Sequence, residues 1–235
     1  MKNLTVKSMN SFVTGAILLG SIALTGCVST GSTSSNTPLG VSETKVELAS
    51  TAENSSMSAF TKKAYVTRSG EAYLMRGLAN VFSRGMDTMA EKLRAKGVDA
   101  VSFNHSHWQP IADDIVARAK VGKVSYPIVI MGHSLGGNQS SKFANYLATH
   151  GVKVDLVIAF DPTLTGHVGK NIDTVINYYL PKNEDNRIVA DNGFSGKLTN
   201  IDLSGNDAIT HINVEKNEKF QTSSINNVLA ITEAL

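Results

Sequence analysis

Ser134 stands in the run Pro127-Ile128-Val129-Ile130-Met131-Gly132-His133-Ser134-Leu135-Gly136-Gly137, whose core spacing is G-x-S-x-G. A serine hydroxyl is a weak nucleophile until a base can reach its Oγ and backbone N–H groups face the carbonyl it attacks. Glycines on both flanks allow such an arrangement, because a strand and a helix can then close around a sharp turn. Carboxylates able to orient a base occur in Ala159-Phe160-Asp161-Pro162 and, as Glu184 and Asp185, in Pro181-Lys182-Asn183-Glu184-Asp185. Six histidines could be that base: His105, His107, His133, His150, His167 and His211.

Two other chemistries fit less well. Gly132 to Gly137 has the glycine spacing of a phosphate-binding loop, but Asn138 and Gln139 stand where Lys and Ser or Thr are needed. His105-Ser106-His107 places two imidazoles on one face if the segment is a strand, yet no convincing third ligand accompanies them. These two histidines, with Trp108, are expected to line a substrate pocket alongside His133 or to bond nearby backbone. Neither a metal nor a cofactor is expected.

The elements that must position these groups show in the hydrophobic pattern. Apolar strands are expected at Ala72–Leu78, Val98–Phe103, Ile128–Met131, Val154–Phe160, Thr174–Leu180 and Leu198–Leu203. Between them, Phe82, Met86, Met89 and Leu93 recur at helical spacing with Gly97 as stop, as do Ile111, Ile115, Val116 and Ala119, and then Phe143, Tyr146 and Leu147. A last helix is expected over Ser224–Leu235. Strands apolar on both faces, alternating with amphipathic helices, predict a three-layer α/β/α sandwich around a mostly parallel sheet of about six strands. Ligands in such sheets bind at the carboxyl ends of the strands. Gly77, His105, His107, Ser134, Asp161 and the segment before His211 all fall there.

The 235 residues, 42% hydrophobic and 18% charged, suit one domain with a real core. Removing Lys2 and Lys7 with a leader leaves 20 of the 22 basic residues against 20 acidic ones. A near-neutral chain carries no nucleic-acid footprint. Met1 to Lys7 is basic, Phe12 to Leu24 is apolar but short for a bilayer span, and Leu24-Thr25-Gly26-Cys27 follows. That sequence resembles the lipobox of bacterial lipoproteins, which implies cleavage after residue 26 and acylation of Cys27, the only cysteine. Two or more acyl chains hold a protein on a membrane stably. Val28 rather than Asp after the cysteine favours the outer membrane in a double-membrane bacterium. Residues 27–58, rich in Ser, Thr and Asn, read as a tether with at most a short edge strand at Val46 and Leu48, and 59–235 as the folded domain.

The order of strand, elbow serine, strand ending in Asp, and late histidine resembles the α/β-hydrolase fold of lipases, esterases and thioesterases, from about Ala72 to the C-terminus. That resemblance implies Ser134 as nucleophile, Asp161 as acid and His211 as base, with Glu184 or Asp185 as rival acids and His167 as rival base. It also implies oxyanion donors at the backbone N–H of Leu135 and, in Arg76-Gly77-Leu78-Ala79, of Leu78. Arg76 would face a substrate anion or form a surface ion pair. His150, before Gly151, fits a helix C-terminus. Short connections without a lid-like insertion predict a shallow site for small or exposed acyl esters or thioesters. The alternatives are an envelope binding or scaffolding lipoprotein without turnover, and acyl transfer by the same residues.

Overall fold

Alternation of apolar strands and amphipathic helices produces the layered sheet that the pattern predicts. The computed structural model describes residues 65–78, 83–181 and 186–235. The expected leader and tether, Cys27, the expected domain start at 59, Phe82, Glu184 and Asp185 lie outside them.

The central sheet contains β1 (Glu71–Arg76), β2 (Asp99–Asn104), β3 (Ile128–His133), β4 (Val154–Phe160), β6 (Ile172–Tyr179) and β8 (Lys197–Asp202), in the spatial order β2-β1-β3-β4-β6-β8. Every neighbouring pair is parallel. Two three-residue strands, β5 (Gly166–Val168) and β7 (Ile188–Ala190), pair with each other in a separate small sheet. Three residues are too few to leave a periodic signal, so the hydrophobic pattern does not predict these two.

The helices are α1 (Arg84–Ala95), α2 (Trp108–Ala119), α3 (Leu135–Thr149) and α4 (Glu218–Ile231). From β1 the chain steps to β2 on one side, then returns past β1 to β3 and continues away through β4, β6 and β8. Parallel crossovers are right-handed, so reversing direction moves the connecting helix to the other face. Two buried clusters follow accordingly. Tyr73, Met75, Ile128 and Ile130 pack with Ile111, Ile115, Phe143 and Leu147 of α2 and α3. Leu74, Val129, Met131 and Phe160 pack with Met86, Met89 and Leu93 of α1 and Phe220 and Val228 of α4.

The last helix begins six residues earlier than its apolar pattern suggests. Asn217 caps it, its side chain accepting N–H bonds from Lys219 and Phe220. At the amino ends of the strands, away from the serine turn, Glu71 is buried and takes both terminal nitrogens of Arg118 at 2.7 and 2.9 Å. Asp114 holds the remaining guanidinium N–H at 2.8 Å, so this charged cluster is internally satisfied.

Candidate active site

The reversal in strand order lies between β1 and β3, and a crevice opens outside the carboxyl ends of strands at such a point. Ser134 sits there, between the end of β3 and the start of α3. Its φ of 57° and ψ of −120° are a strained conformation for a residue with a side chain, costing on the order of 1–3 kcal/mol. The surroundings hold it: the Ser134 N–H donates to Phe160 O at 3.0 Å, and its carbonyl accepts from Asn138 N at 3.0 Å. Gly132 and Gly136 are required by close approach. A Cβ on Gly132 would lie 2.1 Å from Gly136 O, and one on Gly136 would lie 2.3 Å from Met75 O.

Asp161 follows β4, the strand neighbouring β3, and is fully buried. Its φ of 42° turns the chain at the sheet rim just before Pro162. The backbone N–H of Leu180 at 3.0 Å and the Asn186 amide at 2.8 Å donate to its Oδ1. Its Oδ2 takes Nδ1–H of His211 at 2.6 Å. The other ring nitrogen of His211, Nε2, lies 2.9 Å from Ser134 Oγ. Because the carboxylate accepts at Nδ1, the neutral imidazole presents a lone pair at Nε2 to the hydroxyl. Serine, imidazole and carboxylate therefore form one line of hydrogen bonds at the strand ends.

The remaining candidates stand elsewhere or do other work. His167, in β5, is exposed and pairs with Asp191 at 2.8 Å, so His211 and not His167 reaches Ser134. His150 ends α3 and bonds Tyr146 O at 2.8 Å. His105 and His107 lie in a short 3-10 turn after β2, not in a strand, so they lack the strand geometry that would put both imidazoles on one face. His105 Nδ1 contacts Gly77 O at 3.3 Å, and His107 is exposed. Trp108 opens α2, half-buried, and packs its ring on Phe143 and Tyr146 against the core. His133 does not line a pocket: it is buried beneath the turn with both ring nitrogens engaged, by Ser83 Oγ at 2.8 Å and His211 O at 2.7 Å. Burial pushes its pKa down to about 4, so the ring is neutral. Arg76 is paired with Asp87 at 2.6 Å. Among the described residues no three metal-ligating side chains come together.

Several supporting residues carry no sequence signal. Asn138 replaces the lysine of a phosphate loop, and its amide instead clamps the loop after Asp161. Its Oδ1 accepts from Thr163 N at 2.8 Å and Leu164 N at 3.1 Å, and its Nδ2 donates to Thr163 Oγ1 at 2.7 Å. Asn186 is placed by Asn177, whose amide donates to Asn186 O at 3.1 Å and to Asn200 Oδ1 at 2.9 Å. A cavity of about 360 Å³ between β6, β8 and α4, lined in part by Tyr178, Leu203, Lys219 and Phe220, includes none of Ser134, Asp161 and His211.

No family model matches the chain, and no curated protein matches it. Among solved structures it is similar to the NocB thioesterase domain from the nocardicin cluster, at 11% identity and a TM-score of 0.38, covering 72% of this chain and 99% of that one. It is also similar to the thioesterase domain SrfTE, which cyclises the lipopeptide antibiotic surfactin, at 10% identity and a TM-score of 0.42, covering 72% and 97%. Likenesses this distant carry no argument about chemistry, which rests on the geometry of the residues themselves.

Proposed function

We propose that the protein is a serine hydrolase of carboxylic esters or thioesters. The observation that carries this reading is the unbroken line from Ser134 Oγ to His211 Nε2 at 2.9 Å and from His211 Nδ1 to Asp161 Oδ2 at 2.6 Å. His211 takes the Ser134 proton as Oγ attacks the acyl carbonyl, and Asp161 holds the imidazole tautomer and offsets the imidazolium charge. The imidazolium returns the proton to the leaving alcohol or thiol, leaving an acyl-serine. Water, deprotonated by His211, then attacks the acyl-serine carbonyl, and the imidazolium returns that proton to Ser134 Oγ as the acid leaves. The oxyanion donors in this reading are the N–H of Leu135, which opens α3 and has no earlier helical carbonyl to bond, and the N–H of Leu78 in the loop after β1.

Three exposed apolar side chains follow the site's loops: Leu78 at 64%, Leu164 at 53% and Ile212 at 60% exposure. They suit an apolar acyl group at an open mouth, and Cys27, acylated at the envelope, would hold the domain near such substrates. Fluorophosphonate labelling of Ser134, lost in Ser134→Ala, is the direct test. Short-chain p-nitrophenyl esters are expected to turn over faster than long-chain ones. A folded protein whose Ser134 resists the probe would be a binding protein instead.

A further inference from the structure

His133 and Ser83 link two parts of the site that no strand or helix joins. Both are buried. The backbone N–H of Gly77, at the end of β1, donates to Ser83 Oγ at 2.8 Å. Ser83 precedes α1, and its Oγ lies 2.8 Å from His133 Nδ1. On the other side of the ring, His133 Nε2 lies 2.7 Å from the backbone carbonyl of His211.

Chemistry assigns every proton along this line. A carbonyl oxygen only accepts, so His133 Nε2 carries hydrogen. In the neutral ring Nδ1 must then accept, and the Ser83 hydroxyl donates to it. The Ser83 oxygen is left with lone pairs, one of which receives the Gly77 N–H. Glu215 Oε2 is 3.8 Å from the same Nε2, beyond hydrogen-bond reach, so the His211 carbonyl is the acceptor. The chain thus runs in one direction, with no group left to choose between partners.

Its two ends are the two parts whose spacing matters for acyl transfer. Gly77 leads into the loop proposed to supply an oxyanion donor, and it approaches the nucleophile so closely that a Cβ there would stand 3.0 Å from Ser134 Cβ. His211 carries the proposed base. The His133 and His211 rings are 5.0 Å apart, so a neutral His133 also avoids placing a positive charge beneath the imidazole that must accept a proton.

We propose that His133, with Ser83, is a positioning residue that sets the backbone of the general base relative to the oxyanion loop. It does not touch substrate. It holds His211 from behind by its carbonyl, while Asp161 holds the ring from the side.

This inference rests on Ser134 and His211 acting as nucleophile and base, and its test separates the two ideas. Steady-state hydrolysis of a short-chain p-nitrophenyl ester is measured for the full chain and for His133→Ala, His133→Gln, His133→Asn and Ser83→Ala, each checked for a cooperative unfolding transition. His133→Ala is expected to lower kcat roughly 10- to 100-fold while KM changes less than about threefold, since misplacement by a fraction of an ångström is felt in the chemical step. Gln can keep a donor at the Nε2 position and should recover most of the loss. Asn keeps only a group facing Ser83 and should recover less. An unchanged kcat in folded His133→Ala, or any other order of rescue, overturns the proposal. Should the His133 variants fail to fold, Ser83→Ala decides: a roughly tenfold lower kcat at constant KM supports it, and an unchanged kcat overturns it. Retained turnover in Ser134→Ala would instead overturn the nucleophile assignment.

Discussion

The Asn186 amide donates to Oδ1 of the buried Asp161 carboxylate at 2.8 Å, on the oxygen opposite the one that holds His211. With the Leu180 N–H it fixes the carboxylate plane, and hence the direction in which the imidazole is held. A hydrogen bond to a charged group contributes about 1.5–3 kcal/mol. Asn186→Ala is therefore expected to lower kcat about 10- to 100-fold, with a small change in KM, in steady-state ester hydrolysis. Wild-type kcat in this variant would mean that Leu180 alone suffices.

Asp161→Asn leaves the shape of the site intact but allows the amide to donate to His211 Nδ1. The ring then turns to the tautomer that carries hydrogen at Nε2, where it can no longer accept from Ser134. A fall in kcat on the order of 10⁴ is expected, together with slow fluorophosphonate labelling and an unfolding temperature within a few degrees of wild type. Rapid labelling would show that the carboxylate is not needed to orient the base.

Two buried groups give stability opposite pH dependences. Burial raises the Glu215 pKa from 4.5 to about 6. As pH rises through 4.5 to 6 the unfolded chain ionises this carboxyl before the folded one does, so stability falls over that window and stays lower above it. Glu215→Gln should remove that loss and melt higher than wild type at pH 7 relative to pH 4.5. Burial lowers the His133 pKa from 6.5 to about 4. As pH falls through 6.5 to 4 the unfolded chain takes a proton that the folded one refuses, so stability falls in that direction, and His133→Gln should flatten it. Thermal melts from pH 4 to 7 check both signs.

Glu71 and Arg118 are joined by two bonds at the amino ends of the strands. Removing the Glu71 charge leaves the buried Arg118 with Asp114, on its Nε–H, as its one carboxylate partner, at a cost of up to about 3–5 kcal/mol. Glu71→Gln should lower the unfolding temperature strongly, while kcat per folded molecule stays within about twofold of wild type. A matched loss of kcat would mean that this cluster reaches the site at the other end of the sheet.

Hydrophobic patterning and one glycine-flanked serine were sufficient to expect the parallel sheet, its flanking helices and a turn at Ser134. They act locally: apolar runs of four to seven residues choose buried strands, and glycines at 132 and 136 permit the backbone that the turn needs. Which carboxylate and which histidine meet the serine is a different kind of question, because Asp161 and His211 are 27 and 77 positions away in the chain. Only the order of strands, with β4 beside β3 and the last loop folded back over their ends, brings them to hydrogen-bond distance. The same holds for Ser83, Asn138 and Asn186, polar residues with no motif around them. Their function is set by the direction of single hydrogen bonds in a buried place, and only the folded chain creates that place. His133 is the clearest case: a residue inside the motif, expected to line a pocket, that packing turns inward to hold the backbone of His211.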